Sequence, residues 1–269
     1  MDYLKFLEQE LSKAGKLAQS FFGKVTATSK PGDNNQVLTD ADLAVGKELV
    51  AAVQAAFPDH NVIDEEAGGI DKKSRYTWVI DPIEATSNFA AGTPDWGIMV
   101  GLLEDDKPIA GGLIVPQHQR LYLAAKGKGA TLNGKSIHVS TETNLANTLV
   151  SFGIDGYPDD PERTIRECRL LADVVLAARN MRNSGCEAID HMYVAEGRYG
   201  GRVNMASKIW DNVGPQIICE EAGAIWTTHD GSPLDYINPL TKLDQNYTVC
   251  AAPPTLHKQL QAIVHGRSK

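Results

Sequence analysis

The chain reads as a mixed α and β protein, and three stretches of sequence carry that expectation. Residues 3–21 repeat apolar side chains at spacings of three and four, the period of a helix buried on one face. The middle of the chain holds paired β-branched runs separated by turn residues, which predicts hairpins and a mostly antiparallel sheet. From about Leu149 strand and helix patterns alternate, which predicts a parallel or mixed sheet.

Taken in order, the first helix places Leu4, Leu7, Leu11, Ala14, Ala18 and Phe21 on one face, with Gly23 as its stop. Ser29 to Gln36 is polar and contains Pro31 and Gly32, so it reads as a loop. A second helix follows Thr39 or Asp40 as its N-cap, repeats Val45, Leu49, Val53 and Phe57, and ends before Pro58. Asn61-Val62-Ile63 is a short strand. Trp96 to Leu103 and Pro108 to Val115 form a hairpin across Glu104 to Lys107, and Leu121 to Leu123 continues the sheet. Asn133-Gly134 is a strong hairpin signal, because both positions tolerate positive φ. Further on, Leu149 to Phe152, Val203-Asn204, Ala224 to Thr228 and Tyr247 to Ala251 read as strands. Helices are expected over Pro161 to Ala177, up to Ala195, from Trp210-Asp211 to Glu221 with Pro215 near its first turn, and over Pro254 to Val264.

Composition bounds the function. The 269 residues can bury a large core, and 42% hydrophobic with 22% charged residues is ordinary for a globular chain. A net charge of −8 argues against binding a nucleic-acid polymer, yet it permits a small anionic substrate if cations occupy the site. No apolar run approaches membrane-spanning length. Cys168, Cys186, Cys219 and Cys250 are widely spaced with no CxxC pair, which suits a reduced cytoplasm and gives no zinc signature.

The chemistry concentrates at strand ends. Trp78-Val-Ile-Asp81-Pro82-Ile83-Glu84-Ala85-Thr86 is an apolar strand that stops at Pro82 and delivers two carboxylates and a hydroxyl to one sheet edge. Together with peptide carbonyls this is an all-oxygen set suited to Mg²⁺ or a similar hard ion; the plain alternative is a strand-end turn with Asp81 as a cap. Asp64-Glu65-Glu66 ends the preceding strand, so adjacent strand ends would bring Glu65 beside Asp81, although a solvated charge run has the same pattern. Asp42 falls in a helix's first turn, where the helix dipole alone would account for it.

These segments, in this order, resemble the inositol monophosphatase-like, metal-dependent, lithium-sensitive phosphatases. That family carries a Glu-Glu pair, a Trp-x-(Ile/Val)-Asp-Pro-(Ile/Leu)-Asp-Gly-Thr motif, and a late Trp-Asp followed by Glu-Ala-Gly. The matching residues are Glu65-Glu66, Trp78 to Thr86, Trp210-Asp211 and Glu221-Ala222-Gly223. Thr39 to Asp42, Gly127 to Ser140 and Arg182 to Ala188 resemble three further family segments. The likeness implies a layered αβαβα sandwich, with an N-terminal α+β half (1–145) carrying most metal ligands and a C-terminal α/β half (146–269) carrying Asp211. It implies two or three Mg²⁺ ions. Glu65, Asp81 and the Ile83 carbonyl would hold the first, Asp81, Glu84 and Asp211 the second, and Glu65 would assist a third. Asp42, Glu65 and Thr86 are the implied catalytic residues, with the Thr86 hydroxyl, oriented by Asp42, positioning the attacking water. Amides of Ala85 and Thr86 would hold phosphate, and Arg182, Glu187 and Asn204 would face the substrate, although a structural ion pair for Arg182 and a solvent-facing helix position for Glu187 are the plain alternatives. A homodimer is the family's common assembly.

Two departures stand out. Glu84-Ala85 replaces the family's Asp-Gly, which lengthens the carboxylate arm by ~1.5 Å and adds a Cβ where glycine permits unusual φ. Asn204 stands where many relatives use a glutamate. The resemblance thus implies a Mg²⁺-dependent phosphomonoesterase acting on a small polyol or sugar phosphate. A nucleotide 3′-phosphatase or fructose-bisphosphatase of the same superfamily is one alternative. A non-catalytic phosphate- or metal-binding protein is the other, and Glu84-Ala85 is the feature that supports it.

Overall fold

The computed structural model describes residues 2–24, 28–30 and 33–266. Helix α1 (Tyr3–Phe21) starts where the Asp2 carboxylate accepts from the Leu4 amide, and it buries Leu7, Leu11, Ala14 and Ala18. The expected loop over Ser29 to Gln36 is in part a ribbon: β1 (Thr28–Lys30) pairs antiparallel with β2 (Asp33–Leu38). An isolated ladder needs only backbone groups, so its polar sequence carries no alternation to read. Pro31 and Gly32 lie outside the described residues. Helix α2 (Asp40–Ala56) is capped by Thr39 and buries Val45, Leu49 and Val53 on the same side as α1.

The large sheet contains β3 (Asn61–Asp64), β4 (Gly68–Ile70), β5 (Tyr76–Glu84), β6 (Gly97–Glu104), β7 (Lys107–Val115), β8 (Arg120–Ala125), β9 (Ala130–Leu132) and β10 (Lys135–Ile137). Its order is β10-β9-β8-β7-β6-β5-β3-β4, antiparallel throughout except for the parallel pair β3–β5. A short helix α3 (Thr86–Ala91) follows β5. Asn133 (φ 48°) and Gly134 (φ 76°) turn β9 into β10, as the Asn-Gly pair predicts. The β6–β7 turn is tighter than the sequence suggests: Lys107 is paired with Glu104, and only Asp105 and Asp106 turn, both with positive φ.

The second sheet contains β11 (Leu149–Gly153), β12 (Asn180–Arg182), β13 (Gly201–Ser207), β14 (Ile225–Thr227) and β15 (Tyr247–Ala252), in the order β12-β11-β13-β15-β14. The first three run parallel and the last two pairings are antiparallel, so the sheet is mixed. Helices α4 (Pro161–Ala177) and α7 (Pro254–Gly266) cover its outer face through Leu170, Val174, Leu256 and Leu260. Helices α5 (Glu187–Ala195) and α6 (Ile209–Glu221) fill the space between the sheets, where Ile189, Met192 and Ile218 meet Met99, Leu113 and Val249. The result is the αβαβα layering that the family resemblance implies, where periodicity alone supports only a mixed α and β protein.

Two details set α6 in place. A Cβ on Gly101 would lie 2.6 Å from the Gly214 amide nitrogen, and one on Gly111 would lie 2.6 Å from the Gly214 carbonyl, so these glycines let the helix backbone sit directly on β6 and β7. Pro215 falls in the second turn of α6, not near its first. Lacking an N–H, it leaves the carbonyl of Asp211 without its usual intrahelical donor.

Candidate active site

Parallel pairing of β3 with β5 puts Asp64 opposite Ile80, and the Glu65 amide donates to the Ile80 carbonyl at 3.2 Å. Glu65 and Asp81 therefore leave the same sheet edge side by side. Strand β5 does not stop at Pro82. It resumes to Glu84, with a register shift that pairs Asp81 with Met99 and Glu84 with Gly97. Proline is tolerated in such a bulge because no ladder donor is required there. The extra residue also breaks the alternation of faces, so carboxylates three positions apart converge.

Ligand oxygens of Asp81, Glu84 and Asp211 all lie within 4.8 Å of one another. Each of the helices that meet here contributes its N-terminus. At the start of α6 the Lys208 amide donates to Asp211 Oδ2 at 2.6 Å. At the start of α5, which has no side-chain cap, the Glu187 amide donates to Glu84 Oε1 at 2.7 Å. At the start of α2 the Thr39 amide and hydroxyl donate to Asp42 Oδ2 at 2.8 and 2.6 Å. Helix N-termini carry partial positive charge, which is how the fold gathers so many acids without a cationic side chain for each. Thr86 Oγ1 lies 3.1 Å from the other Asp42 oxygen and 2.9 Å from the Ile83 carbonyl.

Crowding shows in the proton affinities. Burial, then the charges of Glu65, Glu84 and Asp211, push Asp81 well above the carboxylate range. Burial and then Glu187 raise Glu84 to about 8. Burial and then Glu84 push Asp211 well up. Asp42 is raised chiefly by burial, against the opposing effect of its Thr39 and Thr86 bonds. A cation would remove the mutual repulsion. The donor set fits one: it is all oxygen, and Asp81 Oδ1 is buried with no hydrogen-bond partner.

Ala85 adopts φ 64° and ψ 51°, the left-handed conformation at the entry to α3. The remaining residues expected at the substrate divide. Glu187 joins the cluster through its amide, and its carboxylate pairs with Arg202. Asn204 is 3% exposed, and its amide is engaged with the Ala206 backbone at 2.8 and 3.3 Å. Arg182 is exposed and donates to the Met181 carbonyl at 2.7 Å. Arg202, 1% exposed, was not singled out by the sequence. Its signal is indirect: Glu187 and Asp190 at i, i+3 form an acidic pair on one helix face that needs a cation when buried.

Residues 2–268 match the model of the inositol monophosphatase family. A fructose-1,6-bisphosphatase/inositol-1-monophosphatase of Aquifex aeolicus is 32% identical over 84% of this chain and 85% of its own. A Nus factor SuhB of Xylella fastidiosa is 31% identical over 69% of this chain and 66% of its own. Among solved structures, an IMPase of Thermotoga maritima superposes with a TM-score of 0.86 at 26% identity, covering 100% of this chain and 98% of that one. The chain belongs to the inositol monophosphatase family of metal-dependent phosphatases.

Proposed function

We propose that the protein is a Mg²⁺-dependent phosphomonoesterase that releases phosphate from a small phosphorylated polyol or sugar of the inositol monophosphate kind. The observation that carries this is the convergence of Asp81, Glu84 and Asp211 within 4.8 Å beside the Asp42–Thr86 contact. Glu65, Asp81 and the Ile83 carbonyl would hold one ion, Asp81, Glu84 and Asp211 a second, and Glu65 would assist a third. When bound, such ions supply the positive charge that offsets a phosphate dianion and lower the pKa of water. Thr86 donates its proton toward Asp42, which turns the hydroxyl's lone pairs outward to orient water for in-line attack. Amides at Ala85 and Thr86 would hold phosphate oxygens.

The Glu187 carboxylate, 16% exposed beside its Arg202 partner, would offer an acceptor to substrate hydroxyls, and the exposed Arg182 would be free to contact phosphate or sugar. Asn204 spends its hydrogen bonds on Ala206, so its share in substrate recognition is a matter of packing. The family relationship supports Li⁺ inhibition and a homodimer. Among the described residues no helix is long and apolar enough to cross a membrane, and the four free cysteines support a reduced, cytoplasmic setting.

Phosphate release from inositol phosphates, sugar mono- and bisphosphates and 3′-phosphonucleotides, assayed with Mg²⁺, tests the substrate class. Release from polyol or sugar monophosphates is expected. Preference for bisphosphates or 3′-phosphonucleotides would assign the chain to another activity of the superfamily. The strained Ala85, and a relative named as a Nus factor, favour a second reading as a non-catalytic binding protein. Metal binding without release from any compound would support it.

A further inference from the structure

Behind the acidic cluster lies a buried charge network, and apart from the substrate contact expected of Glu187 none of its members has a role above. The Arg202 guanidinium, on β13, contacts Glu187 through both Nη2 and Nε, the latter at 3.2 Å, and reaches Asp190 Oδ2 at 2.6 Å. Ser151 on β11 donates to the same Asp190 oxygen at 2.5 Å and accepts from Arg202. Gly153 makes room for the guanidinium: a Cβ there would lie 2.7 Å from Nη2. Glu187 and Asp190 both belong to the first turn of α5, so Arg202 fastens that turn to the second sheet. The first amide of the same turn is the one that holds Glu84.

Stability alone does not account for this arrangement. Desolvating three charges is costly, and well-packed apolar residues of similar volume are often as stable or more so. What a fork of fixed donors does supply is geometry. Geometry is what the cluster needs, because a glutamate at position 84 has one more rotatable bond than an aspartate and must be held at its far end. We propose that Arg202 is a positioning residue for the metal centre: by clamping Glu187 and Asp190 it fixes the start of α5, so that the Glu187 amide holds the Glu84 carboxylate in place to bind a cation. The inference rests on the metal-dependent reading above.

The test is Mn²⁺ binding to metal-stripped protein, by titration calorimetry and by the loss of free-Mn²⁺ EPR signal. It compares wild type, Arg202→Lys and Glu187→Gln, each with Glu84 and with Glu84→Asp, and thermal melts without metal report folding. Outer partners of metal ligands typically contribute 10–100-fold in affinity, so Arg202→Lys should weaken Mn²⁺ binding by about that factor. Excess Mg²⁺ should restore kcat, since the defect lies in holding the ligand. In the Glu84→Asp background, where the shorter arm no longer reaches the Glu187 amide, the effect of Arg202→Lys should shrink to within about 3-fold, the non-additivity that marks direct coupling. Where Arg202→Lys melts without cooperativity, Glu187→Gln, read by Mn²⁺ affinity alone because Glu187 also faces the substrate, carries the same expected loss of binding with the guanidinium retained. Unchanged affinity in a folded variant, or an equal loss in both Glu84 backgrounds, would overturn the inference and leave the enzyme reading standing. Absence of Mn²⁺ binding in the wild type would overturn both.

Discussion

At the scale of single residues, Glu84 and Ala85 stand where the family resemblance implies Asp-Gly, and the structure gives each a physical consequence. Ala85 at φ 64° carries a Cβ in a conformation that costs an L-residue about 1 kcal/mol or more. Ala85→Gly should therefore raise stability by about 1 kcal/mol in chemical denaturation without loss of activity, since the backbone geometry stays the same. A less stable variant would show that the left-handed conformation is not what the native protein holds. The places of Asp42, Asp81, Thr86 and Asp211 in the fold were legible in the sequence because each sits at a strand end or helix start marked by Pro82, Thr39 or Trp210, and that of Glu65 because an apolar strand ends just before it. Arg202 was not. Its partners come from α5 and β11, and no local pattern records a pairing made only when the second sheet closes over the helix. The engagement of Asn204 with Ala206 was hidden for a related reason: a side chain returning to its own backbone leaves no mark in residue type.

Elements were legible where one face is buried. The periodicities of α1 and α2 and the alternation after Leu149 follow from packing against a core, and packing writes itself into the spacing of apolar residues; the Asn133-Gly134 turn was legible for another reason, the positive φ that both residues tolerate. The β1–β2 ribbon, the bulge at Pro82 and the position of Pro215 did not follow, because backbone pairing and local register carry no such spacing. Yet the bulge and α6 are what bring Asp81, Glu84 and Asp211 together. The contact of α6 with β6 is correspondingly intolerant: a methyl at Gly101 would stand 2.6 Å from Gly214 N and from Val213 Cγ1. Gly101→Ala should cost about 1–3 kcal/mol through overpacking. It should also raise the Mg²⁺ concentration needed for activity, because displacing α6 displaces Asp211. Denaturant melts with a Mg²⁺ titration of activity check both; wild-type behaviour in both would mean that the sheet yields without moving the helix.

Across the whole molecule, the αβαβα sandwich brings helix N-termini and two sheets to one acidic centre, and this makes stability depend on pH and metal together. Metal-free, Glu84 holds its proton up to about 8 in the folded chain, against 4.5 as its ordinary value, and Asp81 and Asp211 shift the same way. Between those values the folded state binds more protons than the unfolded state, so stability falls as pH rises through the window. Melting of the EDTA-treated protein should thus move to lower temperature from pH 5 to pH 8. Saturating Mg²⁺ should flatten that slope, because ligand carboxylates are unprotonated in both states and metal binding releases their protons. Parallel slopes with and without Mg²⁺ would mean that the acids do not bind the ion.

The central claim is that this cluster makes the protein a metal-dependent phosphatase, and one comparison tests it most directly. Phosphate release from an inositol or sugar monophosphate would be measured for wild type and Asp211→Asn, with Mg²⁺ and with EDTA, after melts confirm that both are folded. The account predicts release by the wild type only with Mg²⁺, and a fall of at least ~100-fold in Asp211→Asn, beyond what a residue merely touching a ligand contributes. Release that survives EDTA, or wild-type turnover in Asp211→Asn, would contradict it.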